Sequence, residues 1–253
     1  MKTFLLQSDD VFRAEKDAVR RAVRQDASGE VDIRKASLAE IQGKKFMPLP
    51  QAVPVGSETF CRAWMHLCGI EEPEPTGFPE CLSPYWGRDV KFCAQYADAP
   101  IGRWVEPVVR GAWRPHIKGA LRALVPFEAQ SGGPVWASQP VAILAEWRAY
   151  VSHGVLRGIA RRGGLGAVID ETSHPGLIDA LPEMITVYDA SGSAPCAYVM
   201  DVALLQDRRI ALLRVRDAMG ARFYPGSCSP RAYAGMLAGR WAQLTKQEEL
   251  CCA

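Results

Sequence analysis

One chemical signal in the sequence is a carboxylate placed inside an apolar segment. Asp201 interrupts the apolar run over residues 197–205. A buried carboxylate is costly unless a cation pairs with it, so we expect Asp201 to bind either magnesium or an arginine. The next apolar segment carries Arg214 and Arg216, which are candidates for that arginine. These residues alone do not decide between the two kinds of partner.

A second pair of charged residues lies in another apolar segment. Glu146 and Arg148 are two positions apart in a strand predicted over residues 142–151, so they share one face, and Trp147 faces a core. A carboxylate and a guanidinium that project together suit a nucleotide, which carries hydroxyl groups and phosphates. A surface ion pair that serves only itself is the alternative, and the spacing does not exclude it.

Two basic segments suit phosphate groups. Lys118 precedes a glycine, with Arg110, Arg114 and His116 nearby, although each of these residues taken singly is more often a solvated charge. Residues 157–166 are basic and rich in glycine. They lack the Gly-Lys-Ser/Thr ending of a P-loop, so a simple hairpin and a lid over phosphates remain the two interpretations.

Composition excludes several classes of protein. The 253 residues are 48% apolar and 23% charged, which are ordinary globular values. Thirty Lys plus Arg against 28 Asp plus Glu give a net charge of +2, too small for a nucleic-acid-binding surface. No apolar run approaches the roughly 20 residues of a membrane span, and the first residues lack a signal-peptide core. We therefore expect a soluble cytoplasmic protein that binds neither nucleic acid nor membrane.

The first part of the chain has the pattern of an α/β unit. Short strand patterns at residues 4–7 and 31–33 flank a helical pattern at 9–25, which predicts a βαβ start. A helix follows at 57–69, where Ser57 is a good N-cap and Gly69 a good helix end. Three prolines in residues 71–79 indicate a loop or a domain linker.

The rest of the chain has the pattern of antiparallel sheets. Apolar segments at 142–151 and 155–160 are separated by a hairpin glycine, and those at 197–205 and 210–215 by a polar turn. A helix is predicted at 174–186. Hairpins that alternate with a few helices indicate an α+β fold.

Several short segments, in this order, resemble the ATP-grasp superfamily. The resemblance is to its small clade marked by one arginine and two lysines, whose members occur in phages and bacterial gene clusters. It covers about residues 45–225, and the similar segments are Val53–Ser57 with Phe60, Phe78–Leu82, Trp86–Arg88, Trp136–Val141, Glu146–Arg148, Asp201 and Gly220–Tyr224.

The resemblance implies an α+β, ATP-grasp-like fold, in which two antiparallel-sheet lobes enclose a nucleotide site after a small α/β lobe. We predict that the N-terminal lobe covers residues 1–95 and the ATP-grasp-like domain residues 96–245. The C-terminal tail then covers residues 246–253.

The resemblance also implies ATP and magnesium as cofactors and assigns residues to them. The expected adenine hinge is Ser138, Gln139, Pro140 and Val141, the ribose or hinge contact is Glu146, and the phosphate contacts are Arg148, Lys118 and Arg110. The expected metal ligands are Asp201 and Asp217, and the expected catalytic residues are Arg148, Lys118 and Arg214.

Two departures from the family pattern bear on catalysis. ATP-grasp enzymes commonly carry Glu-x-Asn as magnesium ligands after the strand aspartate, but Arg214 and Arg216 occupy those positions. Arginine is always charged and does not ligate magnesium. Glu106-Pro107 also stands where the clade usually has Lys-Pro. The arginines are expected either to neutralise phosphate directly or to mark a chain that has lost catalysis.

The function implied by the resemblance is that of an ATP-dependent carboxylate–amine ligase. Such an enzyme forms an amide or peptide bond through an acyl-phosphate, with small-molecule or peptide substrates, and a homodimer is one assembly we consider. The alternative is a relative with impaired catalysis that binds a nucleotide or a protein.

Overall fold

The computed structural model describes residues 2–9, 11–26, 29–109, 113–120, 132–163 and 175–246. Within these residues the strands form three separate sheets. None of the helices in this part of the chain is both long and apolar enough to span a membrane.

The first sheet belongs to the N-terminal lobe. Its elements are β1 (Lys2–Gln7), α1 (Arg13–Arg24), β2 (Val31–Ala36), α2 (Leu38–Gln42), β3 (Ala52–Val55) and α3 (Glu58–Leu67). The strand order is β2-β1-β3 and both pairings are parallel, which confirms the predicted βαβ start. Pro54 is tolerated because β3 is an edge strand of this sheet.

The ends of α3 follow from its sequence. The Ser57 hydroxyl accepts a hydrogen bond from the Phe60 amide at 3.0 Å, as predicted for an N-cap. Gly69 has φ +68°, and the Ile70 amide beyond it donates to the Met65 carbonyl at 2.9 Å. This is the Schellman pattern that a glycine after the last helical turn permits.

The second sheet is antiparallel and lies after the proline-rich loop. Its strands are β4 (Val90–Cys93), β5 (Trp104–Pro107), β6 (His116–Ile117) and β7 (Val135–Ser138), in the order β4-β7-β5-β6. Because β4 pairs with β7, the boundary predicted between residues 95 and 96 would separate β4 from its own sheet.

The third sheet is built from two long hairpins. Its strands are β8 (Ile143–Ser152), β9 (Val155–Gly163), β10 (Ala197–Leu205) and β11 (Ile210–Asp217), in the antiparallel order β11-β10-β8-β9. His153 and Gly154 both have positive φ, as a two-residue hairpin turn of the matching twist requires. The two predicted hairpins are confirmed.

Helices cover the third sheet on both faces. Helix α4 (Pro175–Ala190) packs against one face through an apolar core that contains Trp147 and Met200. Helix α5 (Pro230–Leu244) shares a core with the N-terminal lobe and with Val199 on the other face. The Trp241 indole donates to the Pro50 carbonyl at 2.8 Å, which ties the C-terminal helix to this lobe.

Candidate functional site

The site centres on Asp201, which is fully buried in the middle of β10. The register places it opposite Arg148 on β8 and opposite Arg214 on β11. Arg148 binds both carboxylate oxygens, with Nε 2.8 Å from Oδ1 and Nη2 2.9 Å from Oδ2. The sequence predicted an arginine or magnesium here, and in this structure Arg148 is the main partner.

Three further arginines converge on the same carboxylate. Arg162 Nη1 is 2.7 Å from Oδ2 of Asp201, Arg216 Nε is 3.6 Å from it and Arg214 Nε is 3.7 Å from it. We call Arg148, Arg162, Arg214 and Arg216 the arginine cluster. One buried carboxylate is therefore shared by four guanidinium groups.

The arginine cluster controls the ionisation of Asp201. Burial by itself would raise the pKa of this carboxyl, but the charge and hydrogen bonds of Arg148, with the charges of Arg162 and Arg216, lower the pKa to about 2. Asp201 is therefore ionised at neutral pH and serves to hold the guanidinium groups in place.

Two other carboxylates complete the ion pairs described for the cluster. Glu146 on β8 pairs with Arg162. Glu106 on β5 accepts a hydrogen bond from Arg214 Nη1 at 2.6 Å. Since β5 and β11 belong to different sheets, the Glu106–Arg214 pair bridges the second and third sheets.

Tyr224 contacts two members of the arginine cluster. Its hydroxyl is 3.2 Å from the donating Nε of Arg162, and its ring centroid is 5.7 Å from Cζ of Arg148. The Tyr224 amide donates to the Tyr150 hydroxyl, which in turn donates to the Arg222 carbonyl. Arg162, Tyr224 and Glu106 were not among our predicted site residues, although a basic residue on β9 and the resemblance near Tyr224 were signals for two of them.

The predicted hinge lies at the junction of the second and third sheets. Ser138 ends β7 and is buried, whereas Gln139 and Pro140 are exposed and the Gln139 amide donates to the Asp89 carbonyl at 2.9 Å. Val141 packs against an apolar group that we call the hinge-end cluster: Ile143, Ala203, Leu205, Ala211 and Leu213. Ala203 and Leu205 follow Asp201 on the same face of β10, so an apolar region adjoins the arginine cluster.

Arg88 explains one segment of the family resemblance. Its guanidinium donates to the Leu212 and Leu213 carbonyls, where the pairing of β10 with β11 shifts register. Burial lowers the pKa of Arg88 to about 10, with Glu106 acting to raise it and Arg214 to lower it further. Gly87 has φ +63°, and a Cβ there would lie 2.7 Å from the Ala211 methyl group. The turn that precedes β4 therefore packs closely against β11 at Gly87.

Lys118 and Asp217, two other predicted site residues, are already paired with protein groups, although Asp217 lines the same cleft as Arg214 and Arg216. The Lys118 ammonium donates to the carbonyls of Tyr96, Ala97 and Ala99, at 2.9, 2.8 and 2.5 Å, so its three protons are already used. Asp217 accepts from Arg240 at 2.7 Å and from the Met219 amide at 2.8 Å. Arg110 lies outside the described residues.

The residues present do not fit a resident magnesium ion. Magnesium prefers oxygen ligands, but Asp201, Glu146 and Glu106 each pair with an arginine. Across the described ranges, no group of three or more His, Cys, Asp or Glu side chains could hold a metal. Arg214 and Arg216 also bring positive charge to the point where the family pattern has two metal ligands.

The same residues fit the phosphates of a nucleotide. Arg148 is only 1% exposed, and its Nη1 has no hydrogen-bond partner among the described residues, nor does Nε of Arg214. Guanidinium groups held by carboxylates are good donors to phosphate oxygens. Beside them a cleft opens between α3, residues 72–77, β5 and β11, and Arg214 and Arg216 line it.

Cys61 lines this cleft, but its thiol is not suited to act as a nucleophile there. Burial raises the pKa of the Cys61 thiol to about 12, with the charges of Glu58 and Asp217 acting in the same direction. A thiol of this kind stays protonated and is a poor nucleophile at neutral pH.

The ATP-grasp domain, R2K clade family 3, matches residues 65–244. The chain belongs to this family. The ATP-grasp resemblance predicted from the short segments is thereby confirmed. No curated protein sequence matches the chain.

Solved structures confirm the ATP-grasp fold. D-alanine–D-alanine ligase from Bacillus anthracis, complexed with ATP, is 13% identical with a TM-score of 0.54, over 98% of this chain and 99% of that one. L-amino acid ligase from Bacillus licheniformis is 12% identical with a TM-score of 0.51, over 94% and 74%. The macrocyclase MdnC from Microcystis aeruginosa, bound with its precursor peptide MdnA, is 11% identical with a TM-score of 0.52, over 94% and 99%.

Proposed function

We propose that this protein is an ATP-dependent ligase that joins a carboxylate to an amine. The observation that supports this function is the arginine cluster in an ATP-grasp fold, whose Arg214 and Arg216 line the cleft and whose Asp201 is followed on β10 by two residues of the apolar hinge-end cluster. The arginine cluster suits the phosphates of a nucleotide, and the adjoining hinge-end cluster suits its base.

The proposed reaction has two steps. An oxygen of the carboxylate substrate bonds to the γ-phosphorus of ATP while the bond to the β–γ bridging oxygen breaks, so ADP leaves. The amine nitrogen then bonds to the acyl carbon, phosphate leaves and the amine proton passes to solvent. Negative charge spreads over the oxygens of the transferring group, and guanidinium groups fixed in advance stabilise that charge.

The residues of this chain have distinct roles in the proposal. Arg148 and Arg162 are held by Asp201 and would bind phosphate oxygens. Glu146 would face the ribose, and Ser138 to Val141 would contact the base. The substrates would be small molecules or peptides, as in the ligases of similar fold. A cytoplasmic location and a homodimer stay predictions, as do phosphate contacts by Lys118 and Arg110 and metal binding by Asp217.

The test is ADP release by the purified chain with ATP, magnesium and a panel of carboxylates and amines. We expect release that needs both substrates, and a loss of at least tenfold in Arg162→Gln, because a charge-assisted contact to the phosphates is removed. Arg209→Gln, in an exposed hairpin turn, is the matched control. No ADP release with any pair, from protein that binds ATP, would reject the ligase.

One observation favours a second candidate, a nucleotide-binding relative with impaired catalysis. Glu106 places a carboxylate on Arg214 where the clade pattern has a lysine, and so brings negative charge toward the expected phosphates. This candidate predicts ATP binding without ADP release. Glu106→Lys together with Arg214→Glu restores the charges of the family pattern and, under this candidate, raises ADP release above that of the wild type.

A further inference from the structure

We propose that the arginine cluster binds a di- or triphosphate chain without a divalent cation. The guanidinium groups of Arg148, Arg162, Arg214 and Arg216 supply the positive charge that a metal supplies in a metal-dependent site. The inference deepens the proposed function at the same site, and it rests on that function only for the choice of ATP as a probe.

The first support is the preset geometry of Arg148. Its Nε and Nη2 are fixed on Asp201 in a bidentate pair, and the side chain is 1% exposed. The remaining nitrogen, Nη1, is buried and has no hydrogen-bond partner among the described residues. A buried charged donor without an acceptor is costly, so an anion that reaches it gains a strong hydrogen bond.

The second support is the field that a cation would meet. Four guanidinium groups lie within 4 Å of the Asp201 carboxylate, and Oδ2 alone is in contact with all four arginines. A magnesium ion would have to displace arginines from Asp201 and would add to the positive charge. A phosphate chain instead supplies the acceptors and the negative charge that the cluster can take up.

The third support is the competition that Glu106 sets up across the cleft. Its carboxylate lies 2.6 Å from Arg214, and its side chain is 10% exposed. A phosphate that binds Arg214 must replace or repel this carboxylate. Removal of the Glu106 charge should therefore strengthen phosphate binding. If Glu106 served only to hold Arg214 in position, its removal should instead weaken phosphate binding.

The experiment is titration calorimetry of the full chain with ATP, once with EDTA and once with excess magnesium. We expect ATP to bind with EDTA at least as tightly as with magnesium, because magnesium neutralises the phosphates that the arginines recognise. Tripolyphosphate with EDTA should displace ATP, since the phosphate chain is the recognised part. ATP that binds only with magnesium overturns the proposal, as does an absence of binding in both conditions or a failure of tripolyphosphate to compete.

Two variants with opposite expected signs sharpen the test. Arg214→Gln should weaken ATP binding in EDTA by roughly tenfold, the size expected for one charge-assisted hydrogen bond. Glu106→Gln should strengthen it several-fold, and Arg209→Gln should leave it unchanged. Thermal melting of each variant reports folding. If Arg214→Gln does not fold, the ATP affinity of Glu106→Gln still tests the proposal. Weaker binding in Glu106→Gln would overturn the proposal.

The outcome separates this inference from the proposed ligase. Binding of ATP in EDTA without ADP release under any condition rejects the ligase and keeps the metal-free site. ADP release together with strictly magnesium-dependent binding keeps the ligase and rejects the metal-free site.

Discussion

The two faces of the third sheet are built from the same four strands and have opposite chemistry. On the face toward α4, Trp147 and the even-numbered residues of β10 from Tyr198 to Leu204 are buried in an apolar core. On the other face, Arg148 and Asp201 form a buried ion pair between two apolar regions. Alternation along a strand places neighbours on opposite faces, so each strand contributes to both.

The comparison shows how apolar packing on one face of a sheet can hold charged side chains in position on the other. The distances within the arginine cluster depend on which residue of β8 stands opposite which residue of β10. A one-residue slip would bring apolar side chains into the cleft and charged ones into the core under α4. The apolar face therefore fixes the strand register, and that register sets the distances between the charged side chains on the other face. Changes on the first face should affect stability alone, and changes on the second should also affect ligand binding.

The largest expected effect is on the apolar face, in Trp147→Ala. The side chain is completely buried, so its loss leaves a large cavity and should lower the free energy of unfolding by about 3–5 kcal/mol. Urea unfolding measures this change. Trp104→Ala, where the indole is 38% exposed, is the control and should cost far less. Equal losses in the two variants would mean that α4 does not cover this face.

A smaller effect is expected on the charged face, in Asp201→Asn. The variant removes the carboxylate that four arginines share and leaves Arg148 buried without its charge partner. We expect unfolding free energy at neutral pH to fall by about 3 kcal/mol, and ATP binding to weaken because the guanidinium groups lose their anchor. Asp207→Asn, in an exposed hairpin turn, is the matched control. An unchanged stability would show that the buried pair is not formed.

The pH dependence of stability gives a third test of the same pair. The pKa of Asp201 is lowered from 3.8 to about 2 in the folded protein, so its ionised form favours folding above pH 4. That contribution, about 2 kcal/mol, is lost as the pH falls from 4 to 2. Unfolding of the wild type and of Asp201→Asn across this range measures it. A wild type that loses no more stability than the variant would contradict the lowered pKa.

Local sequence signals predicted the elements of the fold well. Both hairpins of the third sheet came from apolar runs separated by turn residues, and the start of α3 came from Ser57. Each of these signals acts over a few residues, where propensity and hydrogen bonding to neighbours decide the structure. The ATP-grasp family was inferred from the resemblance of several short segments to known members, and not from hydrophobic pattern or spacing.

The contacts of the site could not be predicted in the same way. The sequence offered Arg214 or Arg216 as the arginine partner of Asp201, and both lie within 4 Å of it, but the two hydrogen bonds to its carboxylate come from Arg148 on the opposite neighbouring strand. The Glu106–Arg214 pair joins residues 108 positions apart in two different sheets, and no local pattern indicates it. Such contacts depend on how the sheets pack, which periodicity does not specify.

Lys118→Met carries the smallest expected effect and separates the sequence prediction from the geometry. If Lys118 binds phosphate, as the resemblance implied, the variant should weaken ATP binding at least tenfold. The observed contacts with three carbonyls and the Tyr96 ring predict instead a loss of about 1–2 kcal/mol of unfolding free energy with ATP affinity unchanged. Calorimetry and urea unfolding measure both quantities, with Lys91→Met on the exposed part of β4 as the control. A loss of affinity with unchanged stability would extend the phosphate site from the third sheet to the second.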